Sequence, residues 1–204
     1  IDRIMEKSRR EIEAFIGAFF ESRSAGLSAV NSWGADFVER IRPFTTGGKM
    51  IRGGLVRLAF DLHGARSGRG LGQKNAARDA IKAGAALELF HSAFLIHDDI
   101  MDDDPVRRGK PSLHVQYASQ AAAAGLADSP GFGRAAALCA GDILIFLGLE
   151  ILASLESPSR VKSEVLGLFS RELAAVGPAQ VQDVYSGKMN RAASREEIFS
   201  LYTY

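Results

Sequence analysis

Residues 75–103 read NAARDAIKAGAALELFHSAFLIHDDIMDD. Helical periodicity runs through the stretch, and no proline interrupts it before Pro105, which disfavours helical backbone at the residue preceding it. One long helix is therefore expected, with aspartates 98, 99, 102, 103 and 104 crowded at its C-terminal end. Working outward, Ile12, Phe15, Ile16, Phe19 and Phe20 share one face of a first helix. A second is expected over 28–41, stopping before Pro43, and a glycine turn opens a third from Lys49 to Leu62. GARSGRGLGQ (64–73) reads as a loop by its glycines, and AAAAGLADSPGFG (121–133) as a linker. Further helices are expected near 112–124, 134–155, 161–175, 178–188 and 195–204. No strand pair is expected, so the fold class is all-α, in one helical domain over 1–204.

The 204 residues carry a net charge of +1, so no global field points to nucleic acid, and any charge-based function must be local. The one cysteine, Cys139, excludes a disulfide framework or a cysteine zinc site within the chain and fits a reducing, cytoplasmic setting. The opening IDRIMEKSRREIEAFI lacks the apolar core of a signal peptide. The most apolar stretch, AAALCAGDILIFLGLEIL (135–152), is interrupted by Asp142 and Glu150, so a buried helix is expected and no stable membrane insertion.

The aspartates break two local rules. Asp98 and Asp102 stand at i and i+4, where like charges cost about 0.2–0.5 kcal/mol per pair. A helix C-terminus, itself partly negative, adds about 0.3–1 kcal/mol against a nearby anion. Violations of this kind are expected at functional sites. A divalent cation would reverse both terms, and carboxylates without Cys or His suit hard Mg²⁺ shared with substrate phosphates. Arg107 and Arg108 follow on a turn set by Pro105 and Gly109, and their forked donors match phosphate oxygens. An acidic helix end beside paired arginines is what a diphosphate substrate requires. The spacing lacks the alternation and terminal glutamate of an EF-hand loop. A solvated acidic helix end, neutralised by its own arginines, is the plainer alternative.

DDIMDDDPVRRGKP (98–111) resembles the first aspartate-rich motif and arginine pair of the trans-polyprenyl diphosphate synthases. GGKMIRG (47–53), ELFHSAFLIHDD (88–99), AGDILI (140–145) and AQVQD (179–183) are similar to further segments of that family, in the same order. The resemblance implies an isoprenoid-synthase-type helical bundle around a central cavity, usually a homodimer. It implies a Mg²⁺-dependent condensation of isopentenyl diphosphate with an allylic diphosphate. Asp98 and Asp102 would bind the metal, with Asp99 supporting, and Arg107 would contact the allylic diphosphate. Lys49, Arg52, His91 and Arg108 would hold isopentenyl diphosphate, and Gln180 and Asp183 would face the cavity. Bulky residues four and five before the first aspartate shorten the family's product. Here these are Phe94 and Ala93, with Phe90 deeper, so C15 to C20 products are expected.

Spacing supports parts of this set. His91 lies seven residues before Asp98, nearly in phase, while His97 is out of phase and is expected to be structural. His114 is expected to help start the next helix, and Asp142 is open between capping and lining the cavity. Met50 and Gly53 depart from the family's usual arginine and proline. No second DDxxD occurs in the chain, which is expected to be a fragment of a longer protein. The rival readings are a class I terpene cyclase, for which Lys49, Arg52 and Arg108 would be unexplained, and a non-catalytic partner subunit of a prenyltransferase.

Overall fold

The computed structural model describes residues 2–64, 71–189 and 194–203. Its helices are α1 (Asp2–Ser28), α2 (Ser32–Thr46), α3 (Ile51–Gly64), α4 (Leu71–Met101), α5 (Leu113–Ala123), α6 (Ser129–Ala153), α7 (Ser159–Lys188) and α8 (Arg195–Thr203). The all-α class is as expected. The chain divides into two compact units, residues 1–157 and 158–204.

In the first unit α4 is central, flanked by α3 and α6 and touched also by α1, α2 and α5. Its inner face buries Ala85, Ala86, Leu89, Ala93 and Ile96. Ile12, Ile16 and Phe20 of α1 join this core, as their spacing predicts. Two close fits set the helix crossings. A Cβ on Gly53 of α3 would lie 2.8 Å from the Gly84 carbonyl oxygen of α4, so these backbones meet only because neither residue has a side chain. On α6, Gly141 and Gly148 lie under the rings of His97 and Phe90 of α4. Both pairs are seven residues apart, which fixes α4 and α6 antiparallel and in register.

Several boundaries differ from expectation. Pro43 lies inside α2, whose last turn is retained because Ile41 and Thr45 are both buried and Thr45 Oγ1 donates to the Ile41 carbonyl at 2.8 Å. Pro178 lies inside α7, which is one helix and not two. α4 begins at Leu71, not Asn75, while residues 65–70 of the expected loop lie outside the described residues. The 121–133 linker shrinks, because Asp128 caps α6 by accepting from Gly131 N at 2.9 Å. Pro130 occupies the first turn, where no N–H is needed. A two-stranded antiparallel hairpin, β1 (Val106–Arg107) and β2 (Lys110–Pro111), also stands where no strand was expected. Its turn residues Arg108 and Gly109 both have positive φ, 54° and 75°, as a tight hairpin requires.

α6 is long and apolar enough to cross a membrane, but half of its most apolar window is buried against the protein. In the second unit, α8 opens with a reciprocal capping box. Glu197 N donates to Ser194 Oγ at 3.2 Å and Ser194 N donates to Glu197 Oε2 at 2.7 Å.

Asp79, buried on α4, clamps the segment after α6. Its carboxylate accepts from Glu156 N at 2.9 Å, and from Ser157 N and Oγ at 2.7 and 2.5 Å. Asp79→Ala should lower stability by about 2 kcal/mol, since two backbone donors lose a charged acceptor that water only partly replaces. Urea unfolding measures the loss.

Candidate active site

α4 ends on the acidic cluster, and its termination explains two of the five aspartates. Asp103 adopts left-handed φ 55°, and Asp104 N donates to the Asp99 carbonyl at 2.9 Å. This is a Schellman-type stop, with Asp103 in the position glycine or asparagine usually fills. Asp99 turns inward and is 1 % exposed, whereas Asp98 is partly buried and Asp102 exposed. The hairpin then carries Arg107 back over the cluster. Its Nε donates to Asp99 Oδ1 at 2.6 Å, and Nη2 reaches Asp99 as well as Asp98 and Asp104, at 3.5 and 3.4 Å from the latter two. Burial pushes the Asp99 carboxyl up, and Arg107 pulls it back. The reversal of charge along the sequence is thus a reversal of the chain. Asp99 fixes Arg107, while Asp98 and Asp102 remain one turn apart towards solvent.

Arg108 points the other way. Its Nη1 donates to the Phe44 carbonyl at 2.8 Å, and its guanidinium lies 5.7 Å from the Phe44 ring centroid. A Cβ on Gly48 would come within 3.0 Å of Nη2, so the glycine admits the arginine. Between α2 and the hairpin lies a cleft of about 370 Å³, lined in part by Arg40, Phe44, Arg107, Arg108 and Lys110.

Past the glycines, Met50 is buried with left-handed φ 49°. Arg52, two residues on, donates Nη1–H to His91 Nε2 of α4 at 3.1 Å. Arginine only donates, so Nε2 accepts and the ring proton sits on Nδ1. Burial, then Arg52, Arg108 and Arg107, lower the His91 pKa to about 4. His91 is therefore neutral near pH 7. Between about pH 6.5 and 4 the unfolded chain binds a proton that the folded chain refuses, so stability falls with pH across this window. From pH 7 to 5 the wild type should lose about 2 kcal/mol more than His91→Gln, as read by urea unfolding at both pH values.

The structure brings Asp98, Asp99, Arg107, Arg108, Arg52 and His91 into one wall. Lys49 is exposed beside it, with no hydrogen-bond or ion-pair partner among the described residues. Gln180 and Asp183 lie three apart on α7, in the second unit. Phe94 is half-buried on the stripe below Asp98. Phe90 is fully buried against Gly148, and Ala93 is fully buried in the core. His97 packs over Gly141, 3.6 Å from Asp142. His114 is buried, with Nδ1 3.2 Å from Oγ of Ser112, the N-cap residue of α5. Sequence reasoning missed Glu88, a buried acid on α4 that accepts from Gly53 N at 2.8 Å. A lone acid inside the apolar run GAALELF was the available signal.

Among the described residues no three His, Cys, Asp or Glu side chains converge as a metal site by themselves. Asp98 and Asp102 still fit Mg²⁺ of the kind that takes one or two carboxylates and completes its shell with water and phosphate.

A geranylgeranyl diphosphate synthase from Sulfolobus acidocaldarius is 32 % identical over 143 residues, 69 % of this chain and 36 % of that protein. The small subunit of a heterodimeric geranylgeranyl pyrophosphate synthase from Arabidopsis thaliana is 39 % identical over 48 % of this chain and 26 % of that one. A geranylgeranyl pyrophosphate synthase from Corynebacterium glutamicum, solved with isoprenyl diphosphate and magnesium, superimposes with a TM-score of 0.81 at 22 % identity. That match covers 98 % of this chain and 54 % of that structure, so the chain spans about half the length of the enzyme it superimposes on. The sequence pattern of the polyprenyl synthetases matches residues 37–204, and the chain belongs to that family.

Proposed function

We propose that this chain carries the substrate-binding half of a Mg²⁺-dependent trans-prenyltransferase, joining isopentenyl diphosphate to an allylic diphosphate to give C15 to C20 products. The observation that supports this best is the grouping at the end of α4, where Asp98 lies 3.5 Å from Arg107 while His91, bonded by Arg52, feels the charges of Arg52, Arg108 and Arg107. One diphosphate fits the acidic end and a second fits the basic end. Asp98 and Asp102 would hold Mg²⁺, which when bound supplies positive charge to the leaving diphosphate. Arg107, held by Asp99, adds fixed donors for the same developing charge. Arg52, Arg108 and Lys49 hold the second diphosphate, with neutral His91 donating from Nδ1. The allylic C–O bond breaks with its electron pair leaving on diphosphate. The isopentenyl double bond supplies the pair for the new C–C bond, and a proton is lost to the departing diphosphate.

In this proposal Phe94, in phase with Asp98, limits product length. Ala93 and Phe90 act on length only through the packing around Phe94. A homodimer in the cytoplasm belongs to the same reading. It is supported by Leu138 and Phe146, large apolar side chains exposed on α6, and by the free thiol of Cys139.

A second reading, a non-catalytic partner subunit, draws on the likeness to the Arabidopsis small subunit. A terpene cyclase leaves the second cluster of cations without a ligand. The test is incubation of the full-length protein with labelled isopentenyl diphosphate, Mg²⁺ and C5 to C15 allylic diphosphates, followed by product chromatography. Extension products support the prenyltransferase. Cyclised hydrocarbons, or activity only after addition of a second subunit, would replace it.

A further inference from the structure

The N-terminus of α3 lacks a cap of its own. Its first intrahelical bond runs from Gly54 N to the Met50 carbonyl at 3.0 Å, which makes Met50 the N-cap residue. An N-cap is usually Ser, Thr, Asp or Asn, whose side chain accepts from the second or third helical N–H. Methionine offers no such acceptor, and Met50 additionally sits at φ 49°, in a region disfavoured for residues with a Cβ. The third helical N–H belongs to Gly53, and Glu88 Oε1 takes it from across the helix crossing at 2.8 Å. Glu88 is 5 % exposed, and its Cγ lies where a Cβ on Gly53 would be 3.1 Å away. His91, three residues on along α4, receives Arg52 Nη1. Adjacent residues of α3 are thus fastened to successive turns of α4, Gly53 by its backbone and Arg52 by its guanidinium.

We infer that Glu88 is a positioning residue for the isopentenyl diphosphate site: by capping α3 in place of Met50, it fixes where Lys49 and Arg52 present their charges. The inference rests on the proposed prenyltransferase reading. Glu88 has a second effect through the same contact. Its carboxylate faces Arg52 and Arg108 and partly balances them before any anion arrives, while burial pushes its own pKa up. Without it, the third N–H of α3 loses its acceptor, and the segment that carries Lys49 and Arg52 loses its tie to α4 at Gly53.

A cap that serves stability alone would lower the melting temperature and leave relative substrate affinities untouched. The positioning role predicts a split between substrates. In the full-length protein, Glu88→Asp, too short to reach Gly53, and Glu88→Leu should raise KM for isopentenyl diphosphate about tenfold. KM for the allylic diphosphate should stay within about twofold, because the Asp99–Arg107 pair is separate. Glu88→Gln keeps an amide oxygen for Gly53 N–H and should stay within about threefold of wild type. If the leucine variant does not fold, the aspartate–glutamine contrast decides. Equal KM values in all variants, or glutamine as impaired as aspartate, overturn the inference. A wild-type protein without condensation activity would instead sink the proposed function. Calorimetry with inorganic pyrophosphate, comparing wild type, Glu88→Gln and Glu88→Asp, would then still read the anion site, and equal affinities there would overturn the role of Glu88.

Discussion

Asp98→Ala, and separately Asp102→Ala, should reduce turnover of the full-length protein by about 10²–10³-fold and leave its melting temperature unchanged or slightly raised. The two halves of this expectation come from the same geometry. Both carboxylates stand at the end of α4, where like charge one turn away costs about 0.2–0.5 kcal/mol and the helix dipole about 0.3–1 kcal/mol. Removing either relieves that repulsion. The contact of Asp98 with Arg107 is long, at 3.5 Å, and Arg107 keeps its shorter bond to Asp99. On the proposed function, activity falls because the remaining carboxylate would hold Mg²⁺ less firmly against the leaving group. Mg²⁺ with inorganic pyrophosphate should stabilise the wild type in a thermal shift and stabilise either variant much less. Wild-type turnover in both variants would remove the metal from these residues.

The sequence carries this site unevenly, for reasons that differ residue by residue. The outward pair Asp98 and Asp102 follows from helical spacing alone. So does the nearness of His91 to their face, since seven residues leave it about 20° out of phase. Phase also separates Phe90 from that face. Eight residues before Asp98 leave it about 80° away, and it is found beneath α6 against Gly148. Depth along a helix, used without phase, misplaces it. The cap at Asp128 and the proline after it were equally readable in ADSPG, yet the surrounding small residues gave a linker reading. The proline rule misled at Pro43, because the cost of an interior proline, about 3 kcal/mol, is a local figure that burial of Thr45 in the next turn offsets; at Pro178 α7 continues although none of its residues is buried. The hairpin after α4 lacked an Asn-Gly or Asp-Gly signal, since an arginine takes the first left-handed position of its turn. A lone acid in an apolar run marks Glu88, but its role is beyond local reading. Its partner, the Gly53 N–H, is 35 residues earlier and becomes an unfilled donor only because Met50 cannot cap.

Arg107→Ala should be the most destabilising single change at the site, at about 3–5 kcal/mol, although Arg107 lies on a two-residue strand at the surface. The cost arises at Asp99. With the arginine present, this carboxylate is 1 % exposed and bonded by Nε at 2.6 Å, while its Oδ2 has no hydrogen-bond partner among the described residues. Without the arginine both oxygens of this buried carboxylate are stranded. The reciprocal variant is milder. Asp99→Asn leaves Arg107 a quarter exposed and still within reach of Asp98 and Asp104, so about 1–2 kcal/mol is expected. The double variant decides whether the pair or the packing is responsible. Arg107→Ala with Asp99→Asn removes the stranded charge, and stability should recover to within about 2 kcal/mol of wild type, giving a coupling energy of at least about 2 kcal/mol in the cycle. Turnover should not recover with it, because the donors aimed at the leaving diphosphate are still gone. Urea unfolding and steady-state rates on the same four proteins measure both quantities. Additive stability losses would show that Asp99 does not hold Arg107, and recovery of turnover in the double variant would show that Arg107 does not contact the diphosphate.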